Sequence, residues 1–169
     1  GITRYMLYSL KEKGVIEQVT RGVYRLAELP PISNPDLVTV SLRFPNAVIC
    51  LISALAYHEL TTQIPHEVNV AVTQDSRRPS LDHPPVQAYK FSHEAYRTGI
   101  EVHRIDNVPV KIYKAEKTLV DCFKFRNKIG LDVFLEALKL YKARRKFDLS
   151  TLIGYARICR VDSQMRPYL

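Results

Sequence analysis

The stretch TRYMLYSLKEKGVIEQVTRGVYRLA, residues 3–27, decides how the front of this chain is read. Thr3 has the side chain of a helix N-cap, and a helix is expected from about Arg4 to Lys13. Gly14 follows as its stop. Met6, Leu7 and Leu10 fall on one face of that helix. Arg4, Tyr8 and Lys11, spaced four and three apart, fall on another. The run VIEQV–TRG–VYRLA then reads as a two-stranded ribbon. Gly22 supplies the positive φ of a short hairpin loop, and Arg21 stands at its tip.

A capped helix with an Arg/Tyr/Lys face, followed by a ribbon with an Arg tip, matches the second half of a winged helix-turn-helix. A helix fits the major groove, where Arg and Tyr reach base edges and phosphates. A neighbouring hairpin reaches backbone or minor groove. Arg4 and Tyr8 are the candidates for base contact, with Tyr5 at the edge. Lys11, Arg21 and Arg25 are the candidates for phosphate contact. The competing reading makes the tyrosines half-buried packing residues and the module a protein-binding scaffold. Half a module buries little. Helices before Thr3, another part of the chain or a second chain are therefore expected to cover Leu7 and Leu10, and Gly1 in place of Met points to missing upstream sequence.

LPPISNP, residues 29–35, cannot continue a helix or a central strand and reads as a linker. The expected organisation is thus a half winged helix over 1–28, a linker over 29–35 and a mixed α/β domain over 36–169. Asp36 is expected to cap a short helix with Leu37, Val40 and Phe44 inward. AVICLISALAYHEL reads as a short strand or turn entering a helix. EVNVAV alternates Val68, Val70 and Val72 with Glu67, Asn69 and Ala71, a half-buried strand. PVQAYKF is a second strand. IEVHRI and VPVKIY flank Asp106-Asn107, a two-residue hairpin turn. Pro109 marks an edge strand or a position without a ladder bond. The last third is helical, with stripes Ala115/Leu119/Phe123, Leu131/Phe134/Leu135/Leu138 and Leu149/Leu152/Ile153/Ala156, and Asp148 as a cap. The fold class is α+β, with a small, largely antiparallel sheet.

The 169 residues are 46% hydrophobic and 25% charged, as in ordinary globular proteins. No apolar run approaches the ~18 residues of a membrane span. Cys50, Cys122 and Cys159 are widely spaced among apolar neighbours and read as buried free thiols of a cytoplasmic protein.

The net charge of +8 is uneven: +3 over residues 1–26, −3 over 27–110, +7 over 111–146 and +1 over the rest. A basic front and a very basic later segment point to a polyanionic partner, against the plainer reading of a solvated surface. KARRK ends a helix, where cations suit the dipole. Lys124, Arg126 and Lys128 precede that same helix, where they do not. Lys124, Arg126, Lys128, Lys142, Arg144, Arg145 and Lys146 are therefore candidates for contact with an anionic partner.

Chemistry is not legible. His58-Glu59 opens like a zinc-protease motif, but the i+4 residue is Thr62. There is no Walker loop and no GxGxxG. Gly-Ser, the pair that opens most nucleotidyltransferase sites, does not occur. Ser53, His58 and Asp106 have no nucleophile elbow to support a triad. His66, His83, His93 and His103 are scattered. No catalytic residue, metal or cofactor is assigned, and the expectation is a non-enzyme.

Several runs resemble the AbiEi family of antitoxins, from bacterial type IV toxin–antitoxin and phage-defence systems. TRGVYRLA resembles that family's wing and SALAYHELTTQIPHEVNVA its middle segment. AEKTLVDCFKFRNKIGLDVFLEALK resembles its most recognisable helical stretch, and RICRVDSQMRPYL the run near its C-terminus. The resemblance implies a cytoplasmic, non-membrane regulator with an N-terminal winged helix and a C-terminal antitoxin domain. It implies repression of its own operon at an operator, expected as an inverted repeat under a dimer. It also implies opposition to a nucleotidyltransferase-like toxin, without requiring a stable complex. By position, the DNA-reading role falls on Arg4–Lys13 and the wing around Arg21. The alternative is a protein-interaction antitoxin whose basic later segment engages the toxin or its RNA.

Overall fold

A computed structural model describes residues 1–169. Helix α1 (Arg4–Glu12) leads into an antiparallel ribbon of β1 (Ile16–Thr20) and β2 (Val23–Leu26). Thr3 is extended, and its hydroxyl accepts the Met6 amide at 3.2 Å, the expected cap. At the other end Gly14 takes φ +70°. Its amide donates to the Lys11 carbonyl, and the Val15 amide to that of Leu10, both at 3.0 Å. This pair of bonds closes the last turn in a Schellman motif. The ribbon turns at Arg21-Gly22, with a register shift between Gln18 and Thr20.

The segment after the ribbon is tied at both ends. Arg25 donates to the Pro30 carbonyl, and the Ser33 amide donates to Asp106 Oδ2 at 2.7 Å. Helix α2 (Pro35–Arg43) follows. Its cap is Asn34, not Asp36, and makes no side-chain bond. Pro35 takes the first turn, where its missing N–H costs nothing, and the Asp36 carboxylate sits beside it against the positive end of the helix.

The main sheet is built from β3 (Val48–Ile49), β4 (Val68–Thr73), β5 (Val86–Phe91), β6 (Ile100–Ile105) and β7 (Val108–Tyr113), in the order β5-β4-β3-β7-β6. Pairs β4/β5 and β3/β7 are parallel, and β3/β4 and β6/β7 antiparallel. The sheet is therefore mixed, not largely antiparallel. The long segment 74–85 between β4 and β5 carries the chain back for a parallel pairing without a crossover helix. Asp106 and Asn107 take φ +49° and +65° at the β6–β7 turn, as that dipeptide allows. Pro109 lies inside the sheet, opposite Arg104, and β7's other neighbour, the two-residue β3, pairs only at Ile112. No ladder bond is lost at the proline.

Both faces of this sheet are covered, so β4 is buried on both sides. Val68, Val70 and Val72 pack with α2 residues in one apolar cluster. Ala71 belongs to the larger cluster on the opposite face. That second layer contains α3 (Leu51–Tyr57), α4 (His93–Arg97), α5 (Ala115–Lys124), α6 (Arg126–Ile129), α7 (Leu131–Lys142), α8 (Leu149–Ile158) and α9 (Asp162–Met165). A 3-10 turn, Arg166–Tyr168, ends the chain. Helix α5 packs against α3, α7 and α8, which buries all of Lys117–Phe123. Asp148 caps α8 by accepting the Thr151 amide at 3.0 Å. Two stripe residues stay outside: Leu135 is 41% exposed and Leu149 37%. On α7 the buried face runs instead through Val133, Phe134, Ala137, Leu138 and Tyr141.

Cys50, Cys122 and Cys159 are free and buried. No helix is long and apolar enough to cross a membrane.

Candidate nucleic-acid interface

Helix α1 buries none of its residues completely. Leu7 and Leu10 are half-buried, while Arg4, Tyr5, Tyr8 and Lys11 are exposed, Tyr5 at 83% and Tyr8 at 61%. The Arg4–Tyr8–Lys11 face is thus open to solvent. At a rise of ~1.5 Å per residue it extends about 10 Å, or roughly three base steps of a duplex strand. Arg4 occupies the first helical position, where a cation opposes the helix dipole at a cost of about 0.3–1 kcal/mol. Lys11 Nζ donates to Gln18 Oε1 at 3.2 Å, which links the helix to β1. Arg21 is exposed at the ribbon's turn. The same end of the molecule also exposes apolar surface: Ile2 at 69% and Met6 at 50%.

Arg25 stands apart from the other five. Its guanidinium pairs with Glu17 at 3.2 Å and donates to the Pro30 carbonyl, and its side chain is only 14% exposed. It fastens the ribbon to the following segment and is not open to a phosphate.

The later basic residues divide similarly. Lys124 belongs to the last turn of α5, and Arg126 and Lys128 to the separate short α6. Lys124 and Lys128 therefore sit in last turns, which favour cations, Arg126 opens α6, and none of the three lies at the start of α7. Arg126 lies 4.2 Å from the Phe123 ring and donates to the Phe123 carbonyl at 2.9 Å and to Gln164 at 3.1 Å. Lys142 holds the carbonyls of Tyr168 and Leu169 at 3.2 and 2.9 Å. Arg144 donates to the His58 carbonyl. Exposed Lys124, Lys128, Arg145 and Lys146 are left without hydrogen-bond or ion-pair partners, although Lys128 lies 5.7 Å from the Phe125 ring.

The imagined triad residues are each engaged elsewhere. Ser53 Oγ accepts the Asn69 amide at 2.8 Å, His58 Nε2 meets the Tyr113 carbonyl at 2.7 Å, and Asp106 holds Ser33. Burial keeps His58 below the usual histidine value, against the opposing pull of its bond to Tyr113.

The interior holds one ion pair that stripe reasoning missed. Lys117 Nζ lies 2.7 and 2.8 Å from the two carboxylate oxygens of Asp121, and both side chains are fully buried. The ammonium also lies 4.1 Å from the Tyr113 ring centroid and 4.9 Å from that of Phe91. Burial pushes the Asp121 carboxyl up to about 6, with Lys117 pulling the other way. The sequence signal was present: a Lys and an Asp four apart inside the apolar run KTLVDCF. Sealed from solvent and surrounded by core side chains, the pair is a packing element.

Residues 1–27, the helix and ribbon just described, match the family described as "Transcriptional regulator, AbiEi antitoxin". The match covers the opening stretch and does not extend to the later runs. No curated protein matches the chain.

Proposed function

We propose that this protein is a DNA-binding antitoxin that represses its own operon and opposes a nucleotidyltransferase-like toxin encoded beside it. The observation that supports this most is the open Arg4–Tyr8–Lys11 face, on the same residues that match the antitoxin regulator family. In this reading α1 is the recognition helix of a winged helix-turn-helix and the β1–β2 ribbon is its wing. Arg4 and Tyr8, with Tyr5 beside them, meet base edges in the major groove. Lys11 and Arg21 hold phosphates and set register. Residues 36–169 form the antitoxin domain, joined through 29–35. Lys124, Lys128, Arg145 and Lys146 add phosphate contacts or meet an anionic partner. Two copies occupy an inverted repeat, since dimers place two recognition helices one duplex turn apart. The setting is the cytoplasm of a phage-defence system.

A second reading is supported by Lys124, Lys128, Arg145 and Lys146, which are exposed and carry no hydrogen-bond or ion-pair partner. Here the winged helix is a scaffold, and the basic later segment engages the toxin or its RNA.

A reporter joined to the DNA upstream of the gene distinguishes the two. Co-expression of the protein should silence the reporter, and Arg4→Ala should relieve the silencing while the protein still accumulates. A reporter indifferent to the protein would remove the repressor role. Toxin neutralisation that survives Arg4→Ala but fails on charge reversal at Arg145 and Lys146 would establish the second reading.

A further inference from the structure

A cleft of about 840 Å³ opens between the end of α2, the turn into β3, the loop after β4, and α4. It lies in the stretch of chain that carries net negative charge, yet Arg43, Arg77 and Arg78 line it and no Asp or Glu does. None of the three arginines joins any of the molecule's ion pairs. The nearest acid in sequence, Asp75, is engaged by His93 at 2.7 Å. Arg43 Nε is moreover the one buried side-chain nitrogen or oxygen in the protein without a hydrogen-bond partner. That burial shuts Nε off from the cleft, so the donors Arg43 offers there are its two terminal nitrogens, which carry no hydrogen bond either.

The loop that carries Arg77 and Arg78 is held from behind. Lys90 donates to the carbonyls of Gln74 and Ser76, and the Thr73 and Ser76 hydroxyls bond each other at 2.6 Å. Across the cleft, the Tyr96 hydroxyl donates to the Asn46 carbonyl. Guanidinium forks match phosphate oxygens two at a time, and three without carboxylate partners call for more than one phosphate. The remaining wall includes Phe44, Val72 and Tyr96, apolar and aromatic surface on which a flat ring can lie. The volume falls within the range of about 300–1,000 Å³ that small ligands occupy.

We propose that this cleft binds a nucleoside triphosphate, its phosphates held by Arg43, Arg77 and Arg78 and its base against the Phe44–Val72–Tyr96 wall. The site is remote in sequence from α1, and its occupancy does not depend on operator reading.

The test is titration of the full chain with methylanthraniloyl-labelled ATP and GTP, followed by fluorescence anisotropy. Unlabelled nucleotides, inorganic triphosphate and a short single-stranded oligonucleotide serve as competitors. Saturable binding is expected, with unlabelled nucleotide competing better than inorganic triphosphate. Arg77→Glu and Arg78→Glu, both at exposed positions, should each weaken it about tenfold or more. Lys139→Glu, an exposed charge elsewhere, should leave it unchanged. Matching circular dichroism spectra establish that the variants are folded. Absence of saturable binding, or binding indifferent to Arg77→Glu and Arg78→Glu, overturns the proposal. So does inorganic triphosphate binding as well as the nucleotides. Cleft-dependent binding of the oligonucleotide without binding of free nucleotide also overturns it, and makes the cleft a nucleic-acid contact.

Discussion

Replacing Lys117 by Met should destabilise the protein far more than a surface lysine could. Met keeps the length and most of the volume of the stem but removes the charge. Asp121 is then left at 0% exposure with the Cys159 thiol, 3.9 Å away, as its remaining polar neighbour. Removing one member of a buried pair costs about 3–5 kcal/mol, because the other charge stays desolvated and alone. For a chain of this size that lowers the melting temperature by on the order of 10 °C. The loss should depend on pH. Burial already holds the Asp121 carboxyl at about 6 with the ammonium present. Without Lys117 it rises further, so the variant is least impaired in acid, where the carboxyl is neutral, and loses stability as pH climbs. Lys117→Met/Asp121→Leu removes both charges and should recover most of the loss, a strongly non-additive pair. Urea unfolding followed by circular dichroism at pH 5 and pH 8 measures all of this. The reasoning fails if Lys117→Met lies within about 1 kcal/mol of the parent protein, or if the two single changes add.

Other outcomes follow from the same geometry. The Asp121 carboxyl titrates near 6 when folded, against 3.8 ordinarily, so the folded chain holds a proton that the unfolded chain has released. Its contribution to stability therefore falls as pH rises from about 4 to 6 and is level above that, by roughly 3 kcal/mol in all. Asp121→Asn should abolish this component in a pH series of unfolding curves, and an unchanged slope would refute it. Gly99 has φ +77°, and a Cβ there would lie 2.8 Å from Lys117 Cβ. Gly99→Ala should cost about 1–3 kcal/mol, more than Gly22→Ala, whose site is open. Equal thermal shifts for the two would count against the packing described. On DNA, Arg21→Ala should lower the salt slope of binding by about 1 with no change in stability. Arg25→Ala should instead loosen the protein, because it breaks the Glu17 pair and the Pro30 bond.

Local signals were readable where they act locally. Thr3, Gly14 and Gly22 each impose a bond or a dihedral on their immediate neighbours, so the opening helix and ribbon follow from the residues themselves. The openness of Arg4, Tyr8 and Lys11 follows from the helical period. Features set by distant partners were not readable. The alternation in EVNVAV describes a strand with one wet face, but Asn69 and Ala71 are covered by a second layer that no local pattern encodes. The same holds for Lys117: a lysine reads as solvated until three helices close around α5. Arg43 and Arg77 are 34 positions apart in the chain, and only the fold brings them to one cleft. Lys142 and Arg144, read as a free basic face, hold carbonyls at the chain's end and at His58.

The central claim is that α1 reads a sequence in duplex DNA. Its most direct test is the affinity of the protein for a labelled duplex from upstream of its gene, set against a scrambled duplex at the same salt concentration. The upstream duplex should bind more tightly, and Arg4→Ala or Tyr8→Ala should each erase about 1–3 kcal/mol of that difference. Equal affinity for both duplexes, or a preference that survives both substitutions, would contradict it.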